Sequence, residues 1–289
     1  MGLTSKITSR TRWAAFAGLA AGLSLLAGAE TAGAQEILLT GPLAGAPAVR
    51  KMKLYRENRL EIAPTATFSL LDEYQREIYF GARLNYNLTD WLALGAWGAA
   101  GAVKINTQLA EDIQTINAAR RQNHAQAVQT ASSLGPDFTA QLGTIDWILA
   151  PQLTVSPFRG KIALFQSIFA DSDLYFFGGA AFVGVKERGN CNKGACSADE
   201  SFALKSGMAI APTFGLGFSF YVNKWNAFGF EWRGMPFARN TSGFDNHGGG
   251  LNNKFPDYAI TSADKEFKFN QMLTVSWGFF FPTMPHISE

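Results

Sequence analysis

Residues 271–282 read QMLTVSWGFFFP, with Leu273, Val275, Trp277, Phe279 and Phe281 at every second position and Thr274, Ser276 and Gly278 between them. A β-strand turns successive side chains to opposite faces. This segment therefore offers one continuous apolar, aromatic-ended face and one face of small or polar groups. A soluble sandwich also alternates, but its polar face normally carries charge, and no charged residue occurs from Gln271 to Thr283. Apolar outside and polar inside is the pattern of a strand in a transmembrane β-barrel.

Working back from that strand, the same alternation recurs. Phe214, Leu216, Phe218, Phe220 and Val222 oppose Thr213, Gly215, Gly217, Ser219 and Tyr221, and Phe228, Phe230 and Trp232 oppose Ala227, Gly229, Glu231 and Arg233. The chain from Arg76 to Asn87 sets Ile78, Phe80, Ala82, Leu84 and Tyr86 against Tyr79, Gly81, Arg83 and Asn85, and a first strand runs from about Arg59 to Ser69 with Glu61, Thr65 and Thr67 on its polar face. A strand from Asp146 to Phe158 is expected to turn Trp147, Leu149, Leu153 and Val155 outward and Asp146, Gln152, Thr154 and Ser156 inward. Two more, Trp91 to Lys104 and Asp173 to Glu187, are rich in Gly and Ala on both faces, so their register stays open. With a strand from about Phe267 to Phe281 the set numbers eight, and the fold class expected is all-β: a closed antiparallel transmembrane barrel with a helical insertion in a long loop.

The links support this. Those after the second and sixth strands are tight turns, whereas those after the third, fifth and seventh are long, as expected for a barrel with short periplasmic turns and long outward loops. The exception on the short side, Arg159 to Ser172, carries Ile162, Phe165, Ile168 and Phe169 at helical spacing and reads as a short amphipathic segment, with a broken strand as the alternative. Between the third and fourth strands Ile105, Leu109, Ile113 and Ile116 repeat at helical spacing, so an amphipathic helix with that apolar face is expected. Aromatic residues gather at strand ends, Tyr86, Trp91, Phe158, Tyr221, Trp225 and Phe281 toward one rim and Phe68, Trp147, Phe237 and Phe267 toward the other, as membrane interfaces favour.

At the start, Lys6, Arg10 and Arg12 precede the apolar run from Ala14 to Ala29, and Ala32-Gly33-Ala34 forms a small-residue cleavage site before Gln35. This is the anatomy of a secretory leader. The expected organisation is a signal peptide over 1–34, a periplasmic segment over 35–58, a barrel over 59–281 and a periplasmic tail over 282–289. No later apolar run is long enough to cross a bilayer as a helix, so a membrane reading requires a barrel, the other structure that satisfies its backbone internally. The formal net charge of +2 gives no basic surface of the kind that binds nucleic acid.

The chemistry-bearing residues are few. Glu61, Arg83, Glu231 and Arg233 fall on inward faces, where an eight-stranded interior is just wide enough for side chains; they are expected to pair and fill the lumen. His124, His247 and His286 lie in loops or the tail, with no metal-ligand spacing and no nucleophile motif in the chain. No catalytic residue, metal or cofactor is expected. Cys191 and Cys196 are an even pair in an exported loop, which favours a disulfide.

The stretches LLTGPLAGAPAVRKMKLYRENRLEIAP (38–64), LLDEYQREIYFGARLNYNLTDWLALGAWGAAGAV (70–103), RGKIALFQSIFADSDLYFFGGAAFVGVKERG (159–189) and TVSWGFFFP (274–282) resemble the outer-membrane β-barrel domain family of myxobacteria and related deltaproteobacteria. The resemblance implies a small barrel assembled into the outer membrane, while the alternation of short and long links over an even strand count leads to the expectation that both termini are periplasmic; the partners expected are outer-membrane lipid and the barrel assembly machinery. Some similar proteins belong to envelope complexes of gliding motility. The function expected is a non-enzymatic scaffold that meets envelope partners through its long loops and residues 35–58; a narrow passive channel and, behind it, a membrane-embedded lipid-modifying enzyme are the alternatives.

Overall fold

The computed structural model describes residues 56–122, 138–164, 168–189, 204–244, 247 and 260–284. The expected leader over 1–34, residues 35–55, the cysteine pair Cys191 and Cys196, His124 and His286 lie outside the described residues. Eight strands, β1 (Arg59–Leu70), β2 (Gln75–Asn87), β3 (Leu92–Asn106), β4 (Thr144–Leu164), β5 (Ile168–Arg188), β6 (Leu204–Tyr221), β7 (Asn226–Arg239) and β8 (Glu266–Phe281), close in chain order into an antiparallel ring. Among the described residues, one helix, α1 (Gln108–Gln122), follows β3, and short 3-10 turns cover Phe138–Gln141 and Ser262–Asp264. The final ladder pairs β1 with β8 from Leu60↔Phe281 to Leu70↔Gln271. Closure leaves the ring without the unpaired edge that an open sheet exposes.

Alternation holds where the sequence made it plain. On β8, Met272, Thr274, Ser276, Gly278 and Phe280 are buried, whereas Leu273, Trp277 and Phe281 are exposed and Val275 and Phe279 half-exposed. Outward apolar residues such as Leu84, Leu94, Leu149, Phe176 and Phe230 extend the belt around the wall. The ladders also fix the two open registers: Ala93, Trp97 and Ala99 of β3 point inward, as do Tyr175, Phe177, Ala181 and Val183 of β5. Pro64 lacks an N–H to donate, and the β1–β8 pairing is interrupted at Ala63 and Pro64.

Four expectations change. Asp146 is not an inward residue: a register shift between Ile145 and Trp147 makes it the unpaired residue of a bulge, where it bonds Lys186 at 2.6 Å, and Ile145 takes the interior place. Tyr221 and Phe237 do not belong to the rim aromatics, since both are buried in the lumen. The described parts of the segment from Arg159 to Ser172 are neither helical nor broken from their strands: residues 159–164 continue β4 and 168–172 belong to β5, paired from Arg159↔Asp173 to Leu164↔Ile168, and 165–167 lie outside the described residues. A helical stretch that short is marginal, while the ladder gives its backbone partners at every rung. Finally, α1 turns Ala110 and Asn117 inward with Ile113 half-buried, and leaves Leu109 and Ile116 exposed; Ile105 belongs to β3.

Candidate functional site: the filled lumen

Inward positions of β1, β2, β5 and β7 converge on one charge network. Arg83 donates to Glu61 at 2.5 Å, to the Tyr175 hydroxyl at 2.9 Å, and to Glu231. Tyr175 in turn donates to Glu231 at 2.9 Å, and Asn85 donates to Glu61 at 3.2 Å. The guanidinium fork reaches both carboxylates at once, a geometry lysine does not reproduce. Room for Tyr175 comes from Gly217 on the neighbouring strand, where a Cβ would lie 2.5 Å from the phenol ring.

Arg233 sits above this network between two aromatic faces, 4.4 Å from the Trp97 ring centroid and 4.2 Å from that of Phe177. It donates to Gln152 at 2.8 Å and Thr213 at 3.1 Å and stands 3.7 Å from Glu231. The cation is thus held by ring quadrupoles and neutral acceptors as well as by a carboxylate. All four charges singled out in the sequence meet in this layer.

A second polar group sits at the end of the barrel formed by the tight turns. Arg56, which precedes β1, donates to Asp173 at 2.9 Å, Tyr221 at 3.0 Å and Ser219 at 3.2 Å, and Tyr221 donates to Asp173 at 2.8 Å. Arg59 donates to the carbonyls of Pro282 at 2.7 Å, Lys224 at 2.9 Å and Phe280 at 3.2 Å. Sequence reasoning passes over both arginines. Arg59 is legible, because it shares the parity of Glu61; Arg56 is not, because nothing places a residue ahead of the first strand inside the barrel.

Toward the long-loop end the lumen becomes apolar. Ile145, Ile148, Val183, Val185, Met235 and Met272 are all buried and pack in one cluster that also includes Tyr79 and Trp97. Over this layer Glu77 accepts from Tyr79 and, at 3.2 Å, from the Ile145 amide. Above it the loops form a cap around the fully buried Phe138, which stacks on Phe244 and meets Tyr74 edge-on, each at 5.6 Å. Gln114 of α1 accepts from the Phe138 amide at 2.7 Å, and Gln141 donates to the Ser242 carbonyl at 3.0 Å. Gly243 adopts φ +69° against Gln141, a conformation and a proximity that suit glycine. Burial, with Glu73 alongside, pushes the Tyr74 phenol above its usual range.

Chemically this interior holds paired ions, stacked cations and hydrocarbon. Among the described residues no group of three His, Cys, Asp or Glu side chains is placed to hold a metal ion. Comparison with known proteins gives no matching family model and no matching curated protein. Among solved structures, the chain is similar to the N-terminal β-barrel domain of OprF from Pseudomonas aeruginosa, with 11% identity, a TM-score of 0.39 and coverage of 78% of this chain and 98% of that one. It is similar also to the outer membrane protein OprG from Pseudomonas aeruginosa, with 10% identity, a TM-score of 0.38 and coverage of 78% and 97%. A third is Ail, the attachment invasion locus protein of Yersinia pestis, at 10% identity, a TM-score of 0.34 and coverage of 78% and 99%. At these values the likeness adds nothing to the closed ladder, which by itself defines an eight-stranded antiparallel barrel.

Proposed function

We propose that this chain is an outer-membrane barrel with a sealed lumen, a non-enzymatic scaffold of the cell envelope with both termini in the periplasm. The observation that carries the reading is the filling of the interior from end to end: Arg56 with Asp173, then Arg83 between Glu61 and Glu231, then the apolar layer, then the cap around Phe138. The outer belt, with Leu273, Val275, Trp277, Phe279 and Phe281 as its closing-strand part, supports contact with lipid, and ring closure supports insertion, because a bilayer offers backbone groups no other partner. With the lumen filled, action falls to the surfaces: the loops of the long-loop end, in which a Cys191–Cys196 bridge is part of this reading, and residues 35–58, each available to other envelope proteins.

The test is conductance. Protein purified from outer-membrane fractions, migrating faster unheated than heated on gels, is expected to give no stable conductance in planar bilayers. A steady ion-selective current from the wild-type chain sinks the scaffold reading in favour of a narrow channel, and recovery of the chain as a soluble periplasmic protein sinks the membrane reading altogether.

A further inference from the structure

Ring closure removes the ends of the sheet, yet one ladder stops short of its own strands. The β6–β7 pairing runs from Tyr221↔Ala227 to Phe214↔Gly234 and ends there. Past that rung β6 continues to Leu204, paired with β5 without a register shift, and β7 continues to Arg239, paired in the same way with β8. The two strands part on the long-loop half of the wall.

Two prolines account for the parting. Antiparallel residues bond a given neighbour strand at every second position. Val222 donates to the Asn226 carbonyl at 3.1 Å, so the even-numbered residues of β6 turn their N–H and C=O groups toward β7. Phe280 donates to the Trp225 carbonyl at 2.9 Å, so the odd-numbered residues of β7 serve β8 and the even-numbered ones face β6. Continued past Phe214↔Gly234, this register sets Pro212 opposite Pro236 at a rung where each residue should donate to the other. Neither has an N–H to give.

The strand left with the longer edge is β6. Among the described residues no strand pairs with Leu204, Ser206, Met208 or Ile210 on the side toward β7, to which their backbone groups point. The edge is accessible: Met208 and Ile210 are 64% and 66% exposed, and Ser206 and Gly207, on opposite faces, are exposed as well. A cleft of about 440 Å³ opens beside Ser206 and Gly207, bounded across from them by the turn from Ile260 to Lys265. A row of alternating donors and acceptors at strand spacing is matched by another extended backbone, the basis of strand addition to a sheet edge. Met208 and Ile210 favour apolar cross-strand neighbours on one face, while Gly207 and Ala209 leave room on the other. A second copy in the same membrane does not fit. It inserts in the same sense, and strands tilted about 35–45° cross when two barrels face each other instead of lying side by side.

We infer that the β6 edge from Leu204 to Ile210, held open by Pro212 facing Pro236, receives an extended peptide segment of another envelope protein, apolar at alternate positions. The attachment rests on the scaffold reading for its partner; a conducting barrel that still bound the peptide would fail that reading and leave this one standing.

The experiment follows amide hydrogen exchange in the full chain, folded in nanodiscs, with and without a capped decapeptide of alternating threonine and valine at millimolar concentration. Without peptide, the Ser206, Met208 and Ile210 amides should exchange about tenfold or more faster than those of Leu216 and Phe218, which are paired on the same strand. The peptide should slow them, and the same peptide N-methylated throughout should not. Pro212→Val with Pro236→Val restores both donors, so in that variant Ile210 should be slow without peptide and the peptide should add nothing there. Heat-modifiable migration checks that the variant is folded. Slow exchange of all three amides in the wild-type chain alone overturns the proposal, because the edge is then already covered. So does an absence of slowing by the peptide, or equal slowing by its N-methylated form. Fast Ile210 exchange with unchanged peptide binding in the double variant overturns it too, because the prolines would then not be what holds the edge open.

Discussion

The two halves of the lumen are filled by opposite means. Near the tight turns the interior is ionic, with Arg56, Arg83 and Arg233 answered by Asp173, Glu61 and Glu231; toward the long loops it is hydrocarbon, built from Ile148, Val183, Met235 and their neighbours. On the sealed-lumen reading both block the bore, but they respond differently to damage. A buried charge network fails when one member is removed, because the remaining ions stay desolvated. An apolar layer loses only transfer energy and a cavity when trimmed. On the same reading ions should meet a barrier in either half, and in the apolar half that barrier would be dewetting rather than pairing.

The largest effect is expected from Arg83→Ala, which strips the guanidinium from Glu61 and Glu231 together and should cost about 3–5 kcal/mol in urea unfolding of the lipid-reconstituted barrel. The same variant should remain non-conducting, because the apolar layer above is intact. Current through it would show that the ion network alone is the seal, and the comparison would collapse.

Met235→Ala comes next, at about 2–5 kcal/mol, from a side chain that is fully buried in the apolar layer. Here too no conductance is expected, since Arg83 still spans the bore. A loss below about 1 kcal/mol, against the usual 2–5 for such truncations, would mean that this layer is loosely packed or wet.

Arg56→Ala should be milder, about 1.5–3 kcal/mol for hydrogen bonds to a charged group, because Asp173 keeps the Tyr221 hydroxyl at 2.8 Å. It sharpens the contrast within the ionic half: Arg56 lies ahead of β1, and its loss opens only the tight-turn end. Protection of Asp173 and Tyr221 amides from hydrogen exchange is the measurement. Unchanged stability and exchange would remove Arg56 from the set of groups that hold the interior.

The ionic half is legible in the amino-acid sequence and the apolar half is not, for one physical reason. A charge on an alternating strand has one tolerable side, so Glu61, Arg83, Glu231 and Arg233 declare their direction; Val183 or Ile148 is acceptable in lipid or in a packed lumen, so alternation loses its contrast where both faces are apolar. The same ambiguity leaves the registers of β3 and β5 undecided by pattern alone, and it is the ladders that turn Trp97 and Tyr175 inside. Bulges escape periodicity altogether, which is why Asp146 leaves the lumen to Ile145. The stripe of Leu109 and Ile116 misleads about α1 because the helix meets the loop cluster around Phe138 through Ala110 and Ile113, a different face.

The bonds of Arg59 bear on the order in which the ring is made. Two of its partners, Phe280 and Pro282, come from the far end of the chain, with 221 positions separating Arg59 from Phe280, and the third, Lys224, lies in the β6–β7 turn. Every other neighbouring pair of strands is joined by a loop that can fold as it emerges, but the seam between first strand and last closes the longest segment in the molecule, and its entropic cost comes due before its contacts form. The backbone of Arg59 pairs with Asn87 as soon as β1 and β2 meet, but its side chain is a latch whose keeper is finished only when the last strand arrives, and it then ties three carbonyls of the completed ring.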